Sequence, residues 1–277
     1  MSSFTLQSSN PALNTEATNP FSWEGQQAIG STARADVATF AGVINRTTIL
    51  VSIALLCGVG GYALFTAIPA MLWIGGIASL IATFGIFFAI RSNPARAVVL
   101  GPIYAIVQGT LLGGVTGMIE TMLTGMGIDL PGGLALQALI VTGGVFAAML
   151  FLYRAGIVRP SNTFVAILSA ATMGIMIAYL VSFVLSFFMA PLPFISLASV
   201  FESGTAGLIG LGLNLVILVI ASMWLAVDFR LVEETVERGA PRAMEWYLAF
   251  ALLVTLAWIY LEAVKLIARI AVLLRSR

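Results

Sequence analysis

The sequence predicts an all-α membrane protein, a bundle of seven transmembrane helices. Three observations predict it. Seven long apolar runs recur along the 277 residues. Hydrophobic residues make up 60% of the chain and charged residues only 9%, with a mean hydropathy of +1.05. A soluble domain of this size needs a more polar surface, whereas lipid tolerates apolar side chains facing outward. The loops between the runs also alternate between basic and non-basic, as in a chain threaded back and forth through a bilayer.

Taken in order, the chain opens with a polar stretch rich in Ser, Asn, Thr, Pro and Gly, in which no cleavable signal peptide is expected. Residues 1–44 are expected to form a disordered cytoplasmic tail, and residues 45–277 the bundle. The helices are expected at 48–67, 71–90, 97–123, 134–153, 163–190, 205–227 and 246–264. Each is near or above the roughly 20 residues that cross the hydrocarbon core. The third and fifth are long enough to tilt or to pass the interface. Pro69 separates the first two, and Pro131, Pro160, Pro191 and Pro193 mark later turns. Trp73, Trp224 and Trp246 fall near span ends, where indoles favour the interface.

Arg91 and Arg96 follow the second span, Arg154 and Arg159 the fourth, and Arg230, Arg238 and Arg242 the sixth. The opposite loops, 69–70, 124–133 and 191–204, hold no Lys or Arg. The basic loops are therefore read as cytoplasmic, together with the N-terminal tail and its Arg34 and Arg46. One feature disagrees. Seven crossings put the C-terminus outside, yet it carries Lys265, Arg269, Arg275 and Arg277. Either the upstream loops override this tail, the reading favoured here, or the seventh helix is partial or re-entrant.

Within the third span, Gly109, Gly113 and Gly117 share one helical face. The spacing suits close helix–helix packing, with a hinge or pore-lining face as the alternative.

Composition excludes several kinds of chemistry. There is no histidine, hence no His-based zinc site, general base or Ser-His-Asp triad. Cys57 is alone, so there is no intrachain disulfide or thiol metal cluster. A net charge of +1 suggests no nucleic-acid partner. Phosphate-cradling, zinc-protease and nucleophile-elbow motifs are missing from the sequence. Catalysis is not expected, and neither is a cofactor.

A charged group near the hydrocarbon is costly, which makes it a functional candidate. The candidates are Glu120, Asp228, Glu262 and Lys265, with the amides Gln108, Gln137 and Asn214 weaker. Asp228 ends the sixth apolar run. It is either an interfacial carboxylate paired with Arg230 or a loop arginine, or a buried acid poised to exchange a proton. Glu233, Glu234 and Glu237 read as a solvated extension of the sixth helix. Glu262 and Lys265 are spaced to pair on one helical face; a carboxylate facing the bundle interior is the alternative. Glu120, Asp129 and Glu202 lie toward the non-basic side, where together they would make an outer mouth attractive to cations.

The last third of the chain carries a resemblance. Asp228-Phe229, then Val232-Glu233-Glu234, Val236 and Gly239-Ala240-Pro241, followed by Glu245-Trp246-Tyr247 and Trp258-Ile259-Tyr260-Leu261-Glu262, resemble the bacterial branch of the Bax inhibitor family. The tail sequence from Ser8 to Leu13 resembles the start of its members, and the seven-span layout fits along the whole length. The resemblance implies a seven-helix bundle in the bacterial cytoplasmic membrane, acting as a pH-sensitive calcium leak. In the family pattern two aspartates near the ends of helices six and seven share a proton and hold the cytoplasmic side closed, and an arginine ending helix two pairs with them. By position Asp228 matches the first acid, Arg91 the arginine, and Glu262 is the candidate second acid. The chain departs from the pattern here, because Asp228 and Glu262 are about ten residues further apart than the family spacing. At 1.5 Å per residue the two would not lie level in a simple hairpin turning near Gly239. Aligned without a gap, the second acid falls close to Thr255. An interfacial segment around 242–247 would restore the level.

Three functions remain open at this point. The first is a calcium or other cation leak gated by carboxylate protonation. The second is a non-conducting adaptor that binds other membrane proteins, with residues 2–30 as a docking segment. The third is a proton-coupled solute transporter using Glu262 or Glu120.

Overall fold

In a computed structural model of the protein, residues 37–68, 70–186, 188 and 196–275 are described. The tail up to Asp36, Pro69, Pro191, Pro193 and the side chain of Trp73 lie outside the described residues. The seven helices are α1 (Phe40–Ala67), α2 (Ala70–Ser92), α3 (Ala97–Gly125), α4 (Gly133–Arg154), α5 (Asn162–Ser186), α6 (Gly204–Glu237) and α7 (Met244–Arg275). All seven are long and apolar enough to cross a membrane, and the protein is an integral membrane protein.

Three helices run past the apolar spans read from the sequence, each for a local reason. α1 starts at Phe40, not at 48, because the Thr39 hydroxyl accepts a hydrogen bond from the Gly42 amide and caps the helix. α6 continues through the charged stretch to Glu237, as the reading of Glu233, Glu234 and Glu237 expected. There Glu234 pairs with both Arg230 and Arg238, one helical turn away on either side. α7 runs past 264 to Arg275, because Lys265 and Arg269 are buried helix residues rather than the start of a solvated tail.

α7 is the central helix. Over its most apolar stretch 56% of the residues are buried, against 6% in α2 and α5. It packs against α6, α4, α1 and α3, while α2 rests mainly on α3 and α5 on α6. Its last residue, Arg275, lies against Gly127 in the turn after α3, at the end of the bundle opposite the basic loops. α7 therefore passes through the whole bundle, and the partial or re-entrant seventh helix is set aside.

The glycines of α3 serve close packing. A Cβ at Gly109 or Gly113 would run into the carbonyl of Ala54 or Gly58 on α1, and one at Gly61 into that of Thr110 on α3. Backbones approach this closely only where both helices lack side chains at the crossing. Trp224 lies well inside α6 rather than at its end, and its indole donates to the Thr172 hydroxyl of α5 at 2.7 Å.

Candidate functional site

The paired helices α6 and α7 set the levels of Asp228 and Glu262. Asp228, 8% exposed, receives a hydrogen bond from the Thr255 hydroxyl at 2.6 Å. Arg230 does not pair with it. That side chain turns away, to Glu234 at 2.6 Å, to the Pro160 carbonyl at 2.7 Å and to Asn162 at 3.2 Å. Among the described residues no cation pairs with Asp228. The interfacial ion pair is thus replaced by a buried carboxylate held by one hydroxyl.

Glu262 lies elsewhere. Its carboxylate accepts from Lys265 Nζ at 2.6 Å, from Asn214 Nδ2 at 2.6 Å and from the Tyr179 hydroxyl at 3.2 Å. Its partner Asn214 precedes Asp228 by about 21 Å along α6 at the helical rise. Asp228 and Glu262 therefore form no dyad. α7 is continuously helical from Met244, so the segment at 242–247 does not restore the level. The residue level with Asp228 is Thr255, where the ungapped alignment put the second acid. Arg91, exposed at the end of α2, has no ion pair or hydrogen bond to Asp228 among the described residues.

The outer acids are not drawn together. Glu120 accepts from the Leu134 amide at 3.2 Å and so closes the first turn of α4, where Gly132 offers no side chain. Gly133 has φ +80°, and a Cβ there would press on that carboxylate at 3.0 Å. Asp129 is exposed, and Glu202 is half-buried near Arg269. Gln137 donates to the Pro131 carbonyl and Gln108 accepts from Thr83.

Two polar clusters appear, the first legible only in part from the sequence and the second not at all. The first joins Glu262, Lys265, Tyr179 and Asn214, with Lys265 Nζ donating to the Tyr179 hydroxyl at 2.7 Å. One turn further, Arg269 reaches the Ser199 carbonyl and hydroxyl, both at 2.8 Å. The spacing of Glu262 and Lys265 gave their pairing; the contributions of Tyr179 and Ser199 from other helices and loops were not visible, and Arg269 fell beyond the expected end of the span at 264. The second cluster lies at the opposite end. Glu245, 1% exposed, accepts from the Thr39 amide and hydroxyl and pairs with Arg46 at 2.9 Å. Gly42 makes room for it, since a Cβ there would strike the carboxylate.

One large cleft, about 1620 Å³, runs between α1 and α4 with α7 as its floor. It reaches from Phe40, Arg159 and Glu233 at the basic end to Tyr62 and Glu120 at the other. Thr116 and Tyr260, bonded to each other at 3.0 Å, lie along it. Phe229, next to Asp228, and Leu252 and Leu256, which flank Thr255, form part of its wall. The cleft thus has Glu233 and Glu120 at its two mouths and hydroxyls between them, while among the described residues no group of three or more acids is placed to hold a metal ion.

A family model described as Bax inhibitor 1 like matches residues 9–272. No curated protein and no solved structure matches the chain.

Proposed function

The chain belongs to the Bax inhibitor 1 like family, and from that premise we propose that it is a pH-sensitive cation leak gated at Asp228. The observation that carries the reading is the burial of Asp228 with one hydrogen bond and, among the described residues, no paired cation. A carboxylate's charge is costly to hold in such a place, by several kcal/mol. A change in its protonation therefore changes how favourable the packing of α6 on α7 is. Thr255, not a second acid, is its partner, and Glu262 is a structural residue. The cleft is the route, with Glu233 and Glu120 at its mouths. Calcium is the ion tested first. We place the chain in the bacterial branch and in the cytoplasmic membrane, with the basic loops and the N-terminus cytoplasmic.

The test is calcium flux into proteoliposomes across a pH series. Asp228→Asn fixes the neutral form, so its flux should lose the pH dependence of the wild type. Glu262→Gln should keep that dependence if the protein folds. An unaltered pH profile in Asp228→Asn removes Asp228 from the gate. No flux at any pH favours the adaptor.

A further inference from the structure

We propose that Lys265 is a reversible proton-binding site inside the membrane, separate from the gate at Asp228, with Glu262, Asn214 and Tyr179 as the groups that hold it. The chain has thirteen Lys and Arg residues, and Lys265 is its one lysine. The two residue types are not equivalent in this respect. A guanidinium keeps its proton in a protein, whereas a buried ammonium can give one up. The one basic side chain able to change its charge stands far from both ends of the bundle. At the helical rise Lys265 is about 15 Å from the end of α7 and about 32 Å from its start, and it is 7% exposed. A buried ion pair kept for stability alone can be replaced by apolar side chains without loss. Ionisable side chains at this depth commonly mark proton or ion transfer.

Lys265 Nζ donates to Glu262 Oε1 at 2.6 Å and to the Tyr179 hydroxyl at 2.7 Å. When the proton leaves, one N–H bond breaks, the electron pair stays on Nζ, and the proton passes to water. Glu262 then keeps the Asn214 amide at 2.6 Å and the Tyr179 hydroxyl at 3.2 Å as donors. Arg269, one turn along α7, remains as the cation that feels the charge of Glu262 and of Glu202. It is seated on Ser199 and against Gly210, where a Cβ would strike the guanidinium. Asn214 is 4% exposed, and among the described residues its Oδ1 has no hydrogen-bond partner. A buried acceptor of this kind suits a water molecule, the carrier that a proton needs at this depth.

The other helices packed against α7 bring no further charge to Lys265. Glu120 of α3 is bonded to the Leu134 amide, and Tyr260 of α7 to Thr116 of α3. Arg46 of α1 is paired with Glu245, and Arg154 ends α4 at the basic end. α6 carries no charged residue before Asp228. Between the cluster and Asp228 the α6–α7 contact is apolar, with Leu218, Ala221, Leu225 and Ile259 in one buried group. This layer separates the proton of Lys265 from that of Asp228.

The proposal does not rest on the leak, and its test reads the lysine rather than flux. With a single lysine, the full chain labelled with ¹⁵N-lysine and placed in lipid bilayers gives one Nζ signal by solid-state NMR. Across the pH range in which the protein stays folded, that signal should move reversibly between the ammonium and amine positions. A signal fixed in either form overturns the site. Glu262→Gln should displace the pH of the change, and Asp228→Asn should leave it in place. No displacement in Glu262→Gln removes the pair from the site, and an equal displacement in Asp228→Asn merges the two sites; either overturns the proposal. Lys265→Arg keeps the charge but cannot release it. Over the same pH interval it should release one proton fewer per chain than wild type, and equal release overturns the site. Should that variant not fold, the wild-type signal decides alone.

Discussion

At the scale of single residues, Thr255 is the position that separates this chain from the family's two-acid pattern. It stands where the second acid would stand and donates to Asp228 at 2.6 Å. Thr255→Asp should create a pair of carboxylates that titrates as a unit. Its calcium flux in proteoliposomes should then respond to pH over a different range from wild type; an identical profile would mean that position 255 takes no part in gating. Glu262 and Lys265 make the opposite case, a satisfied pair whose members are 1% and 7% exposed. Removing one partner leaves a buried charge uncompensated, at a cost of about 3–5 kcal/mol. Lys265→Met alone should therefore lower thermal stability in detergent more than Lys265→Met combined with Glu262→Gln. Additive losses would show that the two side chains are not coupled.

At the scale of elements, the α1–α3 crossing is fixed by its glycines. Gly113→Val would drive a branched side chain into the Gly58 carbonyl of α1. Overpacking of this kind costs about 1–3 kcal/mol, so the melting temperature should fall. Gly212→Ala is the control, because a Cβ at Gly212 meets nothing within 4 Å. If both variants melt alike, the crossing is not what stabilises the pair. The same scale explains the clamp at Glu245. The start of α1 is tied to the start of α7 by the Thr39 and Arg46 contacts. α1 forms one wall of the cleft, so this clamp holds that wall at the basic end.

At the scale of the whole molecule, seven crossings put the two ends of the described chain on opposite faces. Ala38 donates to the Ala240 carbonyl at 2.8 Å beside the basic loop, whereas Arg275 lies against Gly127. A reporter fused after Arg277 should therefore report the face opposite to one inserted at Gly239. Matching signals from the two fusions would bring back the re-entrant seventh helix. The cluster of Lys265 and Arg269 does not contradict this orientation. Lys265 pairs with Glu262 and Arg269 donates to Ser199 inside the bundle, so the two do not count as a solvated basic loop.

The sequence by itself determined the seven spans, the alternation of basic and non-basic loops, the close-packing face of Gly109, Gly113 and Gly117, and the pairing of Glu262 with Lys265. These follow from local composition and from spacing along one helix, which a chain displays without folding. Only the tertiary structure decided that Asp228 meets Thr255, that Glu262 lies with Asn214 and Tyr179, and that Arg91 stands apart from both acids. Those outcomes depend on the register between α6 and α7 and on which helix takes the centre, and neither is written in a hydropathy pattern. The longer spacing already put Asp228 and Glu262 at different levels in a simple hairpin, and the segment at 242–247 that would have restored the level is part of α7. At about 1.5 Å per residue along a helix, ten further residues are enough to separate them by half a bilayer.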